Sequence, residues 1–229
     1  MQYTYNEFKL PSNGKIYPTD KVHIRPKTIF DIKMMLNNPI YNLKAEIDTL
    51  QTCLNPNDGI SVYDLVNQDV VYLLYMLRGM SDDNIMIGYK GKQIEAHISE
   101  MEVKYLQEWN PKRVLPDCGK EVELAYKPIK LIFNLQQMCQ EFTQQYPDFQ
   151  GDVPNVVALL NSIVSFDGST NKDMIRSRLE QLSWKDSIYL VNEIENLNKL
   201  DFGIVEDIEV EPGVRIPIQL NDKFFRPAL

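Results

Sequence analysis

The sequence is poor in the side chains that bind metals or form disulfides. Its 229 residues include three cysteines and two histidines. The cysteines, Cys53, Cys118 and Cys139, lie far apart and form no Cys-x-x-Cys pair. A closed tetrahedral metal site needs several such ligands at short spacing. We therefore predict no metal and no other cofactor, and we interpret the cysteines as buried free thiols that pack like small apolar side chains.

Long apolar runs and the common catalytic motifs are also missing. No stretch of about 18 consecutive apolar residues is present, so no membrane-spanning helix is expected. Residues 1–10 lack the apolar centre of a signal peptide, which predicts that the chain stays in the compartment where it is made. No Walker, dinucleotide-binding, zincin or serine-hydrolase motif occurs, and His23 and His97 stand alone. We predict that the chain is not an enzyme and has no catalytic residues.

An excess of basic charge is absent as well. The net charge is −8, which argues against nucleic-acid binding, since that requires clustered lysine and arginine. The charge is nevertheless uneven: residues 15–33 carry a net +3 and residues 193–211 a net −6. Two interpretations stay open, namely solvated faces or complementary contacts in an assembly. Under the second interpretation, the candidate contacts are Lys15, Lys21, Arg25, Lys27, Glu206, Asp207, Glu209 and Glu211.

The sequence does contain a long-range repeat. Leu-Pro-Ser-Asn-Gly-Lys at residues 10–15 returns as Leu-Pro-Asp-Cys-Gly-Lys at 115–120, and Asp-x-x-Tyr-Leu at 69–73 returns at 186–190. The two pairs keep their order, whereas short-period solenoids recur at least three times. We predict two duplicated modules, residues 1–110 and 111–229, packed as one body or as two.

Local patterns predict an α+β fold that is mainly helical. Each module is expected to open with a β turn and a strand pair, to continue with helices and to include a β-hairpin. The predicted hairpins are residues 85–98 and 208–220. The predicted helices cover approximately residues 28–37, 42–54, 61–79, 129–145, 154–165, 171–181 and 184–199, with Ser183 and Asp186 as the clearest start.

The repeated motifs have structural interpretations. Leu-Pro-x-x-Gly-Lys is typical of a turn that the fold needs twice, and a phosphate cradle is the weaker alternative because no helix opens after the glycine. Asp-x-x-Tyr is interpreted as a helix start, with the aspartate at the positive helix end and the tyrosine packed beneath it. A catalytic role for Asp69 or Asp186 would need further polar partners that the sequence does not indicate.

The order of three segments resembles a known family. These are Phe-Lys-Leu-Pro-Ser-Asn-Gly-Lys-Ile-Tyr-Pro at 8–18, the Asp-x-x-Tyr-Leu helix at 69–73, and Phe-Phe-Arg-Pro at 224–227. Together they resemble the baseplate hub assembly proteins of T4-type contractile-tailed bacteriophages, over nearly the whole chain. Members of that family often carry Cys-x-x-Cys pairs in β segments, which this chain lacks, so plain hairpins are expected here.

The resemblance implies a non-enzymatic viral protein that acts in the host cytoplasm. Its expected partners are hub and tape-measure proteins, which it binds as a transient chaperone or as a retained baseplate component of the virion. One alternative of another class is a small-ligand-binding protein or enzyme that uses a cleft between the modules. A further alternative is a homo-oligomeric ring joined by the basic and acidic segments. Phe224, Phe225 and Arg226 are candidate protein contacts, because terminal aromatic side chains need a surface to bury them.

Overall fold

The computed structural model describes residues 3–36, 43–148 and 153–218. Within these ranges the chain forms seven α-helices and eleven short β-strands. The helices are α1 (Ile29–Leu36), α2 (Leu43–Cys53), α3 (Asn67–Gly79), α4 (Ile129–Gln145), α5 (Val153–Ser162), α6 (Lys172–Glu180) and α7 (Trp184–Leu197). The strands are β1 (Asn6–Lys9), β2 (Lys21–Ile24), β3 (Asn84–Tyr89), β4 (Lys92–His97), β5 (Val103–Lys104), β6 (Lys112–Val114), β7 (Glu121–Leu124), β8 (Ile163–Phe166), β9 (Gly203–Ile204), β10 (Asp207–Glu211) and β11 (Val214–Pro217).

The predicted α+β class is confirmed. The strands pair antiparallel in four two-stranded sheets, β1-β2, β3-β4, β5-β9 and β10-β11, and in one three-stranded sheet, β6-β7-β8. Both predicted hairpins are present as β3-β4 and β10-β11. The description as mainly helical is not confirmed, because the strands form a substantial part of both halves of the chain.

The chain divides into two compact units. Unit 1 comprises residues 1–107 and 201–229, and unit 2 comprises residues 108–200. The prediction assigned residues 111–229 to one module, whereas the structure groups residues 201–229 with unit 1. The reason is pairing across a long sequence separation: Val103 in β5 lies opposite Ile204 in β9.

The core of unit 1 is built by α2, α3 and the strand β2. Val22 and Ile24 alternate with exposed or half-buried positions in β2, as expected for a strand with one face on the core. Leu50, Leu73 and Leu77 are completely buried. Burial of each such side chain contributes on the order of 1.5–3 kcal/mol, so these helices hold the unit together.

A second cluster in unit 1 joins the end of α3 to both hairpins. Tyr75, Ile85, Ile98 and Ile218 are buried together. Burial raises the pKa of the Tyr75 hydroxyl, which donates a 3.3 Å hydrogen bond to Glu206. The β10-β11 hairpin therefore packs with unit 1 through apolar side chains as well as through β5-β9.

Unit 2 surrounds the β6-β7-β8 sheet with four helices. Val122 pairs with Phe166 and Leu124 with Ile163, and all four side chains are buried. The predicted helix at 154–165 is therefore wrong at its end: α5 stops at Ser162 and the following four residues form β8. The apolar run Ile-Val-Ser-Phe adopts a strand because pairing with β7 buries its first and last side chains.

Side-chain caps fix several helix starts. The hydroxyl of Ser183 accepts a hydrogen bond from the Asp186 N–H, which confirms the predicted start of α7. Thr28 and Asp31 bond reciprocally at the start of α1, since the Asp31 N–H donates to Thr28 Oγ1 and the Thr28 N–H donates to Asp31 Oδ2. A capping arrangement of this kind satisfies N–H groups that have no partner inside the helix.

Candidate functional site

The repeated turn of unit 1 is held by a buried carboxylate. Leu10, Pro11 and Ser12 are buried, and Gly14 adopts a φ of 67°, which a residue with a side chain adopts only at a cost. Asp69 in the first turn of α3 accepts a 2.8 Å hydrogen bond from the Ser12 N–H. The hydroxyl of Tyr17 donates to the other oxygen of Asp69. The turn is thereby fastened to the helix start.

Asp69 is fully buried, and no cation is paired with it in the described part of the chain. Burial raises the pKa of its carboxyl to about 7 from an ordinary 3.8, while the neighbouring Ser12 acts in the opposite direction. The Ser12 Oγ is itself buried and has no hydrogen-bond partner among the described residues.

The turn of unit 2 is held by the corresponding aspartate. Asp186 in the first turn of α7 accepts hydrogen bonds from the Asp117 N–H at 2.8 Å and the Cys118 N–H at 3.2 Å. The side chain of Asp117 binds back to α7, accepting from Ser183 at 2.6 Å and Lys185 at 2.8 Å. These two contacts lower the pKa of the Asp117 carboxyl.

This geometry adds a contact to the helix-start interpretation of the two aspartates and favours the structural interpretation of the turns. Asp69 and Asp186 bond to the repeated turns, so the two motifs that the sequence shows separately form one contact in each unit. The N–H groups that a phosphate would need at these turns, including those of Ser12 and Asp117, already donate to aspartate. That favours the structural turn over the phosphate cradle.

Two of the candidate basic contacts are buried within unit 1. The Arg25 guanidinium lies 2.6 Å from Asp31, and the Lys27 ammonium lies 2.9 Å from Glu46. Burial alone would raise the pKa of the Asp31 carboxyl, but hydrogen bonds from Arg25 and Thr28 hold it below its usual range. Arg25 and Lys27 therefore form ion pairs inside unit 1.

Two further lysines from the basic candidates lie at the surface. Lys21 forms an exposed ion pair with Glu7 at 2.8 Å. The exposed Lys15 has no ion-pair partner among the described residues, so no direct contact compensates its charge there.

The acidic candidates also have partners inside unit 1. Asp207 pairs with Arg215 at 2.7 Å and Glu211 with Lys90 at 3.0 Å. Glu209 accepts a 2.9 Å hydrogen bond from the Gly213 N–H, while burial raises the pKa of the Glu206 carboxyl, whose partner is the Tyr75 hydroxyl. The remaining candidates, Phe224, Phe225 and Arg226, lie outside the described residues.

The described part of the chain contains no group of three or more histidine, cysteine or acidic side chains placed to hold a metal ion. Cys53 is buried, and burial raises its pKa to about 11. The other two cysteines correct the prediction of buried thiols, because Cys118 is exposed and Cys139 is half-buried. His23 lies 2.9 Å from Asp58, which also accepts the backbone N–H of His23 and so fixes β2.

Two helices expose apolar side chains that the sequence analysis did not identify as surface. On α1, Ile29 is 74% exposed, Phe30 70% and Met34 60%. On α7, Trp184 is 80% exposed, and Ile188 follows it by one helical turn at 42%. Ile188 therefore lies outside the core of unit 2. In the sequence, this surface is indicated by a second stripe of apolar residues on each helix, beside the stripe that faces the core.

Comparisons of the chain with protein-family models, curated protein sequences and solved structures found no match. None of the helices in the described ranges combines the length and apolar character needed to cross a bilayer. The surfaces and contacts above are thus the observations from which a function can be inferred.

Proposed function

We propose that this chain is a non-enzymatic assembly protein of a contractile-tail baseplate hub. In this proposal it binds hub and tape-measure proteins in the host cytoplasm. The observation that carries the proposal is the pair of exposed apolar helix faces, centred on Phe30 of α1 and Trp184 of α7. Exposed apolar patches of this kind are typical of protein-binding surfaces. The ordered resemblance at residues 8–18, 69–73 and 224–227 supplies the class of partner.

We also propose that the two units derive from duplication of one module. In unit 1, Asp69 accepts a backbone hydrogen bond from Ser12, and in unit 2, Asp186 accepts one from Asp117. Each donor lies in a Leu-Pro-x-x-Gly-Lys turn, and each acceptor lies in the first turn of a helix. The same contact between the same motifs supports a common origin.

Capture of purified hub and tape-measure proteins by the full chain tests the assembly proposal. Phe30→Asp and Trp184→Asp place a charge on each apolar face, and Asn57→Asp, at an exposed position of unit 1 outside α1, is the control for a new carboxylate. We expect at least one of the first two variants to weaken capture by tenfold or more, which is about 1.4 kcal/mol. Folded variants that all capture partners as the wild type does would refute the role of these faces.

Quantitative mass spectrometry of purified phage particles and infected-cell lysate separates the two forms of the proposal. Stoichiometric presence in particles identifies a retained baseplate component, and abundance in lysate alone identifies a transient chaperone. The rival ligand-binding hypothesis predicts that small-molecule cofactors raise the melting temperature. A rise with cofactors and none with tail proteins would overturn the assembly proposal.

A further inference from the structure

Helix α4 has an outward face without charge. The ten residues from 131 to 140 include no charged side chain, although charged residues make up 24% of the chain. The neighbouring helix α5 has no charged residue along its whole length. Only two residues of α4, Ile129 and Phe142, are buried. Depletion of charge on an exposed surface is a mark of the centre of a protein interface.

An apolar groove of about 130 Å³ runs along this face. Its apolar walls come from Leu131, Ile132, Leu135 and Met138 of α4 and from Ala158 of α5, and its polar lining is Lys127, just before α4, and Asn161 of α5. Ile132 is 52% exposed. The spacing from Leu131 to Leu135 to Met138 is four and then three residues, which is the spacing of a coiled-coil seam. The groove is therefore suited to receive another helix.

We propose that the α4-α5 face binds the same face of a second copy of this chain, with the two α4 helices antiparallel. Lys130 and Glu141 lie at opposite ends of the uncharged stretch. Antiparallel pairing about a twofold axis brings each lysine beside the partner's glutamate, whereas parallel pairing brings like charges together. Since each chain carries a net −8, two copies approach most readily through a face that has no acidic charge at its centre.

The size of the face agrees with a small dimer interface. Its 17 residues give α4 a length of about 25 Å. Packed helices lie about 8–10 Å apart, so α4 and α5 together present a face about 20 Å wide. A face of at most about 25 by 20 Å covers about 500 Å² on each partner, which is below the roughly 800 Å² of a standard interface and close to the lower limit of about 1,000 Å² in total for a specific one.

The mass of the full chain in solution tests the proposal. We expect a species of twice the 26.7 kDa chain mass, measured by light scattering and sedimentation over a dilution series. Ile132→Asp should raise the dimer dissociation constant at least about tenfold, because each dimer then buries two unpaired carboxylates. Ile188→Asp, at a 42% exposed position on α7 of the same unit, should leave the dimer intact.

The helix direction is tested by a disulfide. The register that sets Lys130 opposite Glu141 also sets Ile132 opposite Cys139. Within one helix these residues are about 10.5 Å apart, which is too far for a disulfide to form between them. Ile132→Cys in a Cys118→Ser background should therefore give a disulfide-linked dimer on mild oxidation, while Ile188→Cys in the same background should not.

Four results would overturn the proposal. These are a monomer at every concentration, a dimer that Ile132→Asp leaves intact, a dimer that Ile188→Asp also disrupts, and a dimer without the engineered disulfide. Dissociation by added salt would also overturn it, because salt screens the repulsion between the acidic chains and should strengthen an apolar contact. A salt-sensitive assembly would instead support the ring joined by basic and acidic segments.

Discussion

Asp69 should make unit 1 more stable at pH 5 than at pH 8. Its carboxyl has a pKa of about 7 in the folded unit against an ordinary 3.8. Because the folded state binds the proton more tightly, stability is fully present below about pH 4 and is lost as the pH rises through about 7. Between pH 5 and pH 8 this shift amounts to roughly 3 kcal/mol of unfolding free energy, since each pKa unit is worth about 1.4 kcal/mol.

Asp69→Asn removes the titration and keeps the shape of the side chain. The amide oxygen can accept from the Ser12 N–H, as Asp69 Oδ1 does, and the amide nitrogen then takes the place of Oδ2 and can donate to the oxygen of the Tyr17 hydroxyl. We expect the variant to resemble the wild type at pH 5, to exceed it in stability at pH 8, and to lose the pH dependence. Asp186→Asn is the matched control in unit 2, and it should leave the pH dependence of unit 1 unchanged.

The measurement must distinguish the units. Both tryptophans, Trp109 and Trp184, belong to unit 2, so tryptophan fluorescence follows that unit. Hydrogen exchange of the α3 backbone, corrected for the intrinsic effect of pH on exchange, follows unit 1. Equal pH dependence in the wild type and Asp69→Asn, or lower stability of the variant at pH 8, would refute the reasoning.

Other perturbations give separate tests. Arg25→Met should destabilise unit 1 by about 3–5 kcal/mol in hydrogen exchange, because its buried carboxylate partner loses its charge pair, whereas Lys21→Met should change little. Gly14→Ala and Gly119→Ala should each cost about 1 kcal/mol for a positive φ, and the first should cost more because the new Cβ would lie 3.3 Å from Asp20. In the folded chain a thiol reagent should leave Cys53 unmodified and label the other two cysteines, as read by mass spectrometry; rapid labelling of Cys53 would contradict its burial and raised pKa.

Local signals in the sequence predict much of the local structure. The helix at 129–145 agrees with α4 in both bounds, and the start of α7 follows from the Ser183 cap. Both hairpins follow from alternation around glycine turns, at Gly91 and Gly213. These elements depend on residues close in sequence, so they can be predicted without knowledge of the tertiary fold.

The remaining features depend on contacts between distant residues. The pairing of Val103 with Ile204 leaves no local pattern, and it decides to which unit the last segment belongs. The bond from Ser12 to Asp69 spans 57 residues. The sequence therefore shows both repeated motifs, but it does not show that the turn and the helix start of each unit contact each other. The exposed helix faces were missed for a related reason, since spacing alone does not tell which of two apolar stripes meets the core.

The discontinuous course of unit 1 has a consequence during synthesis on the ribosome. Unit 2 interrupts unit 1 as an insertion, and the bond from Lys104 to Asp201 spans 97 residues. The nascent chain can complete unit 2 from one continuous segment. The side chains of Tyr75 and Ile85, by contrast, lack their packing partner Ile218 until the last part of the chain has been synthesised. We therefore expect unit 2 to fold before unit 1 during synthesis, with the apolar cluster of unit 1 incomplete and exposed to aggregation until then.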